Sequence, residues 1–133
     1  MYKEDKLTYT IIGLTMKVHQ VLGPGFKEKI YHNALTNELI DNGLNIDYEK
    51  EFSVFYKDEK VGKFRVDLFI ENKLVVELKA VSGEIPKLFQ TQVVSYLKAS
   101  KSEIGLLMNF GNPSLKVKRF ANYKNYIKNK LIN

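Results

Sequence analysis

KFRVDLFIENKLVVELK, residues 63–79, is the stretch whose reading decides the fold. Phe64, Val66, Leu68 and Ile70 alternate with Arg65, Asp67 and Phe69, and then Leu74, Val76 and Leu78 alternate with Val75, Glu77 and Lys79. An apolar/polar period of two over each half predicts two strands. A connection at Glu71, Asn72 and Lys73 makes them an antiparallel hairpin, with Ile70 facing Leu74, Val66 facing Leu78 and Asp67 facing Glu77. In that register the alternating apolar residues share one face. Asp67, Glu77 and Lys79 then share the other, in the middle of a sheet where charges are seldom placed unless they bind something.

Two carboxylates facing each other across strands repel, and in a half-buried site both ionise cheaply only with a cation between them. Hard oxygen ligands from two or three protein groups, with water and substrate phosphate completing the shell, describe a Mg2+ or Mn2+ site. Lys79, two residues beyond Glu77, is placed to orient an attacking water or to stabilise charge developing on a phosphate.

Before the hairpin, IDYEKEFSVFY (Ile46–Tyr56) alternates as a third strand and Lys57-Asp58-Glu59-Lys60 turns the chain, so three strands run as a meander. After it, Ser82-Gly83 reads as a loop and Pro86 to Ala99 as a helix packing Phe89, Val93, Tyr96 and Leu97 on the sheet. Gln92 falls on an adjacent strip that can look toward the Asp67 and Glu77 face, although a helical glutamine alone is weak evidence. IGLLMNF (Ile104–Phe110) has the unbroken apolar character of a strand buried on both faces, reached by a crossover through that helix. At the other end of the chain, Leu7 to Leu22 has helical spacing up to the stop at Gly23-Pro24-Gly25. His19, in its last turn, reads as a dipole-favoured cap or packing residue. A second helix is expected from about Lys27 to Asn42, with Ile30, Tyr31, Ala34, Leu35, Leu39 and Ile40 on its apolar side. Glu28 in its first turn is either a residue favoured by the macrodipole or a further oxygen ligand above the sheet.

The 133 residues, 44% hydrophobic, suit one domain, taken as 1–133. There is no cysteine, which excludes disulfides and thiolate zinc sites. No apolar run of membrane-spanning length and no signal-peptide layout occurs, so a cytoplasmic protein without a membrane partner is expected. Of the 21 Lys and Arg, six (Lys116, Lys118, Arg119, Lys124, Lys128, Lys130) lie in residues 116–133 with no acidic neighbour; the other 15 balance the 15 Asp and Glu. That basic C-terminal segment begins with strand-like alternation and continues as an amphipathic stretch; interleaved with Phe120, Tyr123 and Tyr126, it suits phosphate contacts and base stacking, or alternatively a helix docked by its aromatic side with solvated lysines.

Asp67, followed by Glu77-Leu78-Lys79, resembles the Asp…(Asp/Glu)-x-Lys core of the PD-(D/E)XK nuclease superfamily, with Val66 in place of the usual proline. Gly25-Phe26-Lys27-Glu28-Lys29-Ile30-Tyr31 is similar to the signature of the GxxExxY proteins within it, and the resemblance spans about residues 7–120. It implies an α/β fold of the restriction-endonuclease-like kind: an αβββαβ core, a mixed central sheet flanked by helices, an extra N-terminal helix and the basic C-terminal segment. It further implies Asp67, Glu77 and the Leu78 carbonyl as metal ligands, Lys79 as catalytic lysine, and Glu28 and Gln92 as further site residues. The expectation is a metal-dependent nuclease acting on nucleic acid, DNA foremost. Lys116, Lys118, Arg119, Lys124 and Lys128 would contact the substrate, and a homodimer is one possible assembly. The alternative is a nucleic-acid-binding module or complex subunit that keeps the fold and cuts nothing.

Overall fold

The computed structural model describes residues 3–122. α1 (Lys3–Leu22) buries Ile11, Thr15 and Val18, one helical stripe, and ends where Gly23 turns to φ 68° and its N–H bonds the His19 carbonyl. α2 (Glu28–Asp41) buries Tyr31, Leu35 and Leu39. Its apolar stripe is narrower than the sequence suggests. Ile30 and Ile40 are 41% and 52% exposed, because they stand off the line of residues spaced by four that meets the core.

The strands are β1 (Ile46–Tyr56), β2 (Glu59–Ile70), β3 (Leu74–Lys79), β4 (Ile104–Asn109) and β5 (Lys116–Ala121), with α3 (Lys87–Ser100) between β3 and β4. They form one mixed sheet in the order β1-β2-β3-β4-β5. Among the described strands only the β3–β4 pair is parallel, because α3 carries the chain back across the sheet before β4 starts. The expected αβββαβ order is thus present as α2 through β4, preceded by α1 and followed by β5. α1 and α2 cover one face, packing Ile11, Leu35 and Leu39 against Leu68, Ile70, Val76 and Leu78. α3 covers the other, packing Val93 and Leu97 against Phe69, Val75 and Leu107. β4, sandwiched between the layers, is buried at every residue, as its unbroken apolar run requires.

The hairpin departs from the uninterrupted register read from its alternation. Ile70 pairs with Leu74 and Leu68 with Val76, and the β2–β3 ladder stops there. Val66 therefore does not face Leu78. It packs with Phe69 and Val75 under α3, while Leu78 lies under α1 and α2. On the β1 side Tyr48 pairs with Leu68 and Lys50 with Val66, but Glu49, at φ 55°, skips Asp67. Asp67 thus lacks a ladder partner on either side. β2 rolls over at that residue, so Phe64 and Val66 face the opposite way from Leu68 and Ile70, contrary to a strand of strict period two. From Val66 back to Glu59, β2 pairs with β1 alone, a two-stranded ribbon whose root is held over α3 by Phe64 stacked on Tyr96 with ring centroids 4.4 Å apart.

Candidate active site

The break in β2 is filled by side chains. The Asp67 N–H donates to Glu77 Oε2 at 2.6 Å, and the Leu78 N–H donates to Asp67 Oδ2 at 2.7 Å. The two carboxylates therefore stand where two rungs of the β2–β3 ladder would have been, each satisfying the amide opposite. The Asp67 carbonyl accepts a hydrogen bond from His32 Nε2 at 3.1 Å, which requires the proton on that nitrogen. Asp67 and Glu77 are brought together as the hairpin reading expected, but through side-chain bonds rather than as a ladder pair.

Each carboxylate uses one oxygen in this exchange. Asp67 Oδ1 and Glu77 Oε1 remain for another partner. The Leu78 carbonyl lies on the Asp67 side of β3, because in a strand the N–H and C=O of one residue share a side and the Leu78 N–H points at Asp67. The Lys79 carbonyl, one residue on, faces β4 and accepts from Phe110 N at 2.8 Å. Two carboxylate oxygens and a carbonyl are hard donors of the kind that Mg2+ and Mn2+ accept, so the residues present fit such an ion. Among the described residues no group of three or more His, Asp or Glu is arranged to hold a metal. Water and substrate would therefore have to fill the remaining positions.

Burial sets the protonation of the pair. Glu77 is 7% exposed; desolvation first, and then the neighbouring Asp67, push its carboxyl up to about 8. Burial also raises Asp67, against the opposing pull of the Leu78 N–H and of Lys79. Without a cation the pair retains a proton at neutral pH, and a divalent ion would take that proton's place.

Glu28 overlooks the pair from the start of α2. Desolvation raises its carboxyl, Lys79 lowers it and Asp67 raises it, so it shares the field of the centre. Its position is set by the GFKEKIY segment. The Tyr31 hydroxyl donates to the Gly23 carbonyl at 2.5 Å and accepts from Phe26 N at 3.1 Å, and its ring stacks on Phe110 at 4.3 Å. His19 bonds the Asn112 carbonyl through Nε2 at 2.9 Å. Tyr31 and His19 are thus fastenings that hold the start of α2 over the end of β4, and His19 packs as its place at the helix end suggested.

Lys79 lies on the α3 face with its Nζ 4.2 Å from the centroid of Phe89. Gln92, half-buried, sits three residues after Phe89 and four before Tyr96, on the same side of α3 as those two residues. Tyr96 senses the pair directly: burial raises its hydroxyl, with Glu77 and Asp67 adding to the effect. Sequence reasoning missed His32, Tyr48 and Glu49. With Glu28, Asn33, Asp67 and Leu78 they line a cleft of ≈ 430 Å³ beside Asp67. The available signal was spacing, since His32 is four residues after Glu28 and on the same helical face.

Lys116, Lys118 and Arg119 are exposed on β5, at the sheet edge, and Lys118 Nζ donates to Gln90 Oε1 at 3.4 Å. Lys124 and Lys128 lie outside the described residues. Among the described residues no helix is long and apolar enough to cross a membrane.

A family model described as "PD-(D/E)XK nuclease superfamily" matches residues 5–120. No curated protein matches the chain. A solved structure described as "Crystal structure of SSO0001" is similar over 79% of this chain and 59% of its own, with a TM-score of 0.57 and 19% identity, a likeness of fold alone.

Proposed function

The chain belongs to the PD-(D/E)XK nuclease superfamily, and from that premise we propose that it hydrolyses phosphodiester bonds of nucleic acid, DNA foremost, at the Asp67–Glu77 centre. The observation that carries this reading is the exchange of ladder rungs for carboxylates, which draws Asp67 and Glu77 together in the field of Lys79 and leaves one oxygen of each outside the exchange. Mg2+ or Mn2+ bound there would polarise the phosphoryl oxygen and make water acidic enough to attack. The chain's own residues do the rest. Lys79 leaves the Phe89 ring to meet charge developing on the phosphate, while Glu28 and Gln92 orient water from α2 and α3. Lys116, Lys118, Arg119, Lys124 and Lys128 would hold the strand. The GFKEKIY segment supports membership of the GxxExxY group as the finer assignment. A cytoplasmic setting belongs to the same reading, as does pairing of two copies on duplex, since one centre of this kind cuts one strand.

The test is purified protein with Mg2+ or Mn2+ on single-stranded, duplex and branched DNA and on RNA, beside Asp67→Ala and Lys79→Ala. Cleavage lost in both variants supports the reading, and cleavage that survives both rejects this site. A second reading, a binding module that does not cut, draws on the absence, among the described residues, of any group of three or more His, Asp or Glu arranged to hold a metal. Calorimetric titration separates the two, because failure to bind either ion at millimolar concentration favours the module.

A further inference from the structure

We propose that the cleft between β5 and the β3–α3 connection is a phosphate subsite, which grips the nucleic-acid backbone at a set distance from the bond to be cut. The proposal rests on the reading above for its substrate class and adds where the strand is held.

Register places the cleft. Lys79 pairs with Asn109 and Asn109 with Lys116, while Glu77 pairs with Leu107 and Leu107 with Lys118. Leu107 packs under α3 and Lys118 reaches Gln90 of α3, so Lys116 and Lys118 stand on the same sheet face as Glu77 and Lys79. They are two strands away, about 10 Å at the usual interstrand spacing. Between them and α3 lies a cleft of ≈ 530 Å³ lined by Gly83, Ile85, Gln90, Lys116 and Lys118, with Glu84 as the one acid among the described residues on its wall.

The cleft is preformed. Asn112 clamps Gly83 through both of its backbone groups, accepting from Gly83 N at 2.7 Å and donating to Gly83 O at 2.8 Å. Asn109 does the same for Val81, at 2.9 Å each way. A loop fixed by two amide clamps loses little freedom when an anion arrives. The Lys118–Gln90 contact is long and exposed, so it yields to a phosphate without leaving a buried group unpaired.

Chemistry supplies the need. A centre built on Asp67, Glu77 and Glu28 repels a polyanion, so affinity has to come from cations outside it and be used to press the reacting phosphate inward. At a rise of about 3.4 Å per stacked nucleotide, 10 Å places the gripped phosphate one to three nucleotides from the scissile bond, on one side of it only.

The test uses the full chain in EDTA, so that binding is read without cleavage. The probe is a labelled short single-stranded oligodeoxynucleotide, titrated at several salt concentrations against wild type, Lys116→Ala/Lys118→Ala and Lys116→Arg/Lys118→Arg. The expected result for the alanine variant is roughly tenfold weaker binding and a salt slope smaller by about one to two, with the arginine variant close to wild type. Both lysines are exposed, so unchanged thermal unfolding checks the fold. Equal affinity and slope in all three proteins overturns the subsite. A protein that binds in this way and cuts nothing keeps the subsite and loses the catalytic reading, so the two failures are distinct. Where cleavage is found, a neutral methylphosphonate one to three nucleotides from the cut is expected to slow wild type on one side and leave the alanine variant unaffected. Equal slowing of both proteins overturns the proposal.

Discussion

Glu77 makes the metal-free protein sensitive to pH in a direction opposite to most paired carboxylates. Its folded value of about 8 lies above the ordinary 4.5, so the fold favours the protonated form. That stabilisation is fully present below about pH 4.5 and is lost as pH rises through 8. In EDTA, Tm is expected to drop by roughly 5–10 °C between about pH 5 and pH 9, and Glu77→Gln to flatten the slope; a Tm rising over that interval would contradict the assignment. His32 acts on the same centre through a peptide. Its Nε2–H holds the Asp67 carbonyl, so His32→Phe is expected to weaken Mg2+ or Mn2+ binding by about tenfold in calorimetry, with His32→Asn, which can still donate, in between. That Asp67, Glu77 and Lys79 would lie near one another was legible in the sequence, because charges on alternating positions of a sheet need a reason. His32 was not, because what it bonds is a backbone carbonyl freed by a break in β2 that no side-chain pattern announces.

At the scale of elements, the helices and strands follow from period and punctuation, and the departures have local causes. The period-two pattern of β2 continues through Asp67 while the strand itself rolls over there, so the pattern could not say which face Val66 would take. Backbone conformation was equally hidden at the ribbon turn, where Lys57 and Asp58 have φ of 50° and 66°. Two left-handed residues between the paired Tyr56 and Glu59 make a tight turn that glycine would occupy without strain. Asp58→Gly is expected to raise stability by about 0.5–1 kcal/mol in urea unfolding. Gly111 has the opposite character. A methyl group there would strike the Val81 backbone, in the connection that Asn109 clamps. Gly111→Ala is expected to cost about 3 kcal/mol by the same measurement.

For the molecule as a whole, the sheet carries a cleft under each of its helical layers. The ≈ 430 Å³ cleft opens beside Asp67 under α2, and the ≈ 530 Å³ cleft opens beside Lys116 under α3. The basic character of the C-terminal segment was plain in the sequence, but its relation to the acidic pair depended on β5 adding to β4, a non-local pairing that alternation cannot specify. On the proposed reading a divalent ion would displace the proton held by the pair, so added Mg2+ is expected to raise Tm more at about pH 9 than at about pH 5, as differential scanning calorimetry would show; an equal shift at both would place the ion elsewhere. The β1–β2 ribbon also offers a practical handle. Its turn at Lys57 and Asp58 is nine residues along β2 from Asp67, about 30 Å of extended chain. A reporter or surface tether grafted at that tip would leave both clefts open, so a single molecule could be anchored by the ribbon and watched as it engages its strand.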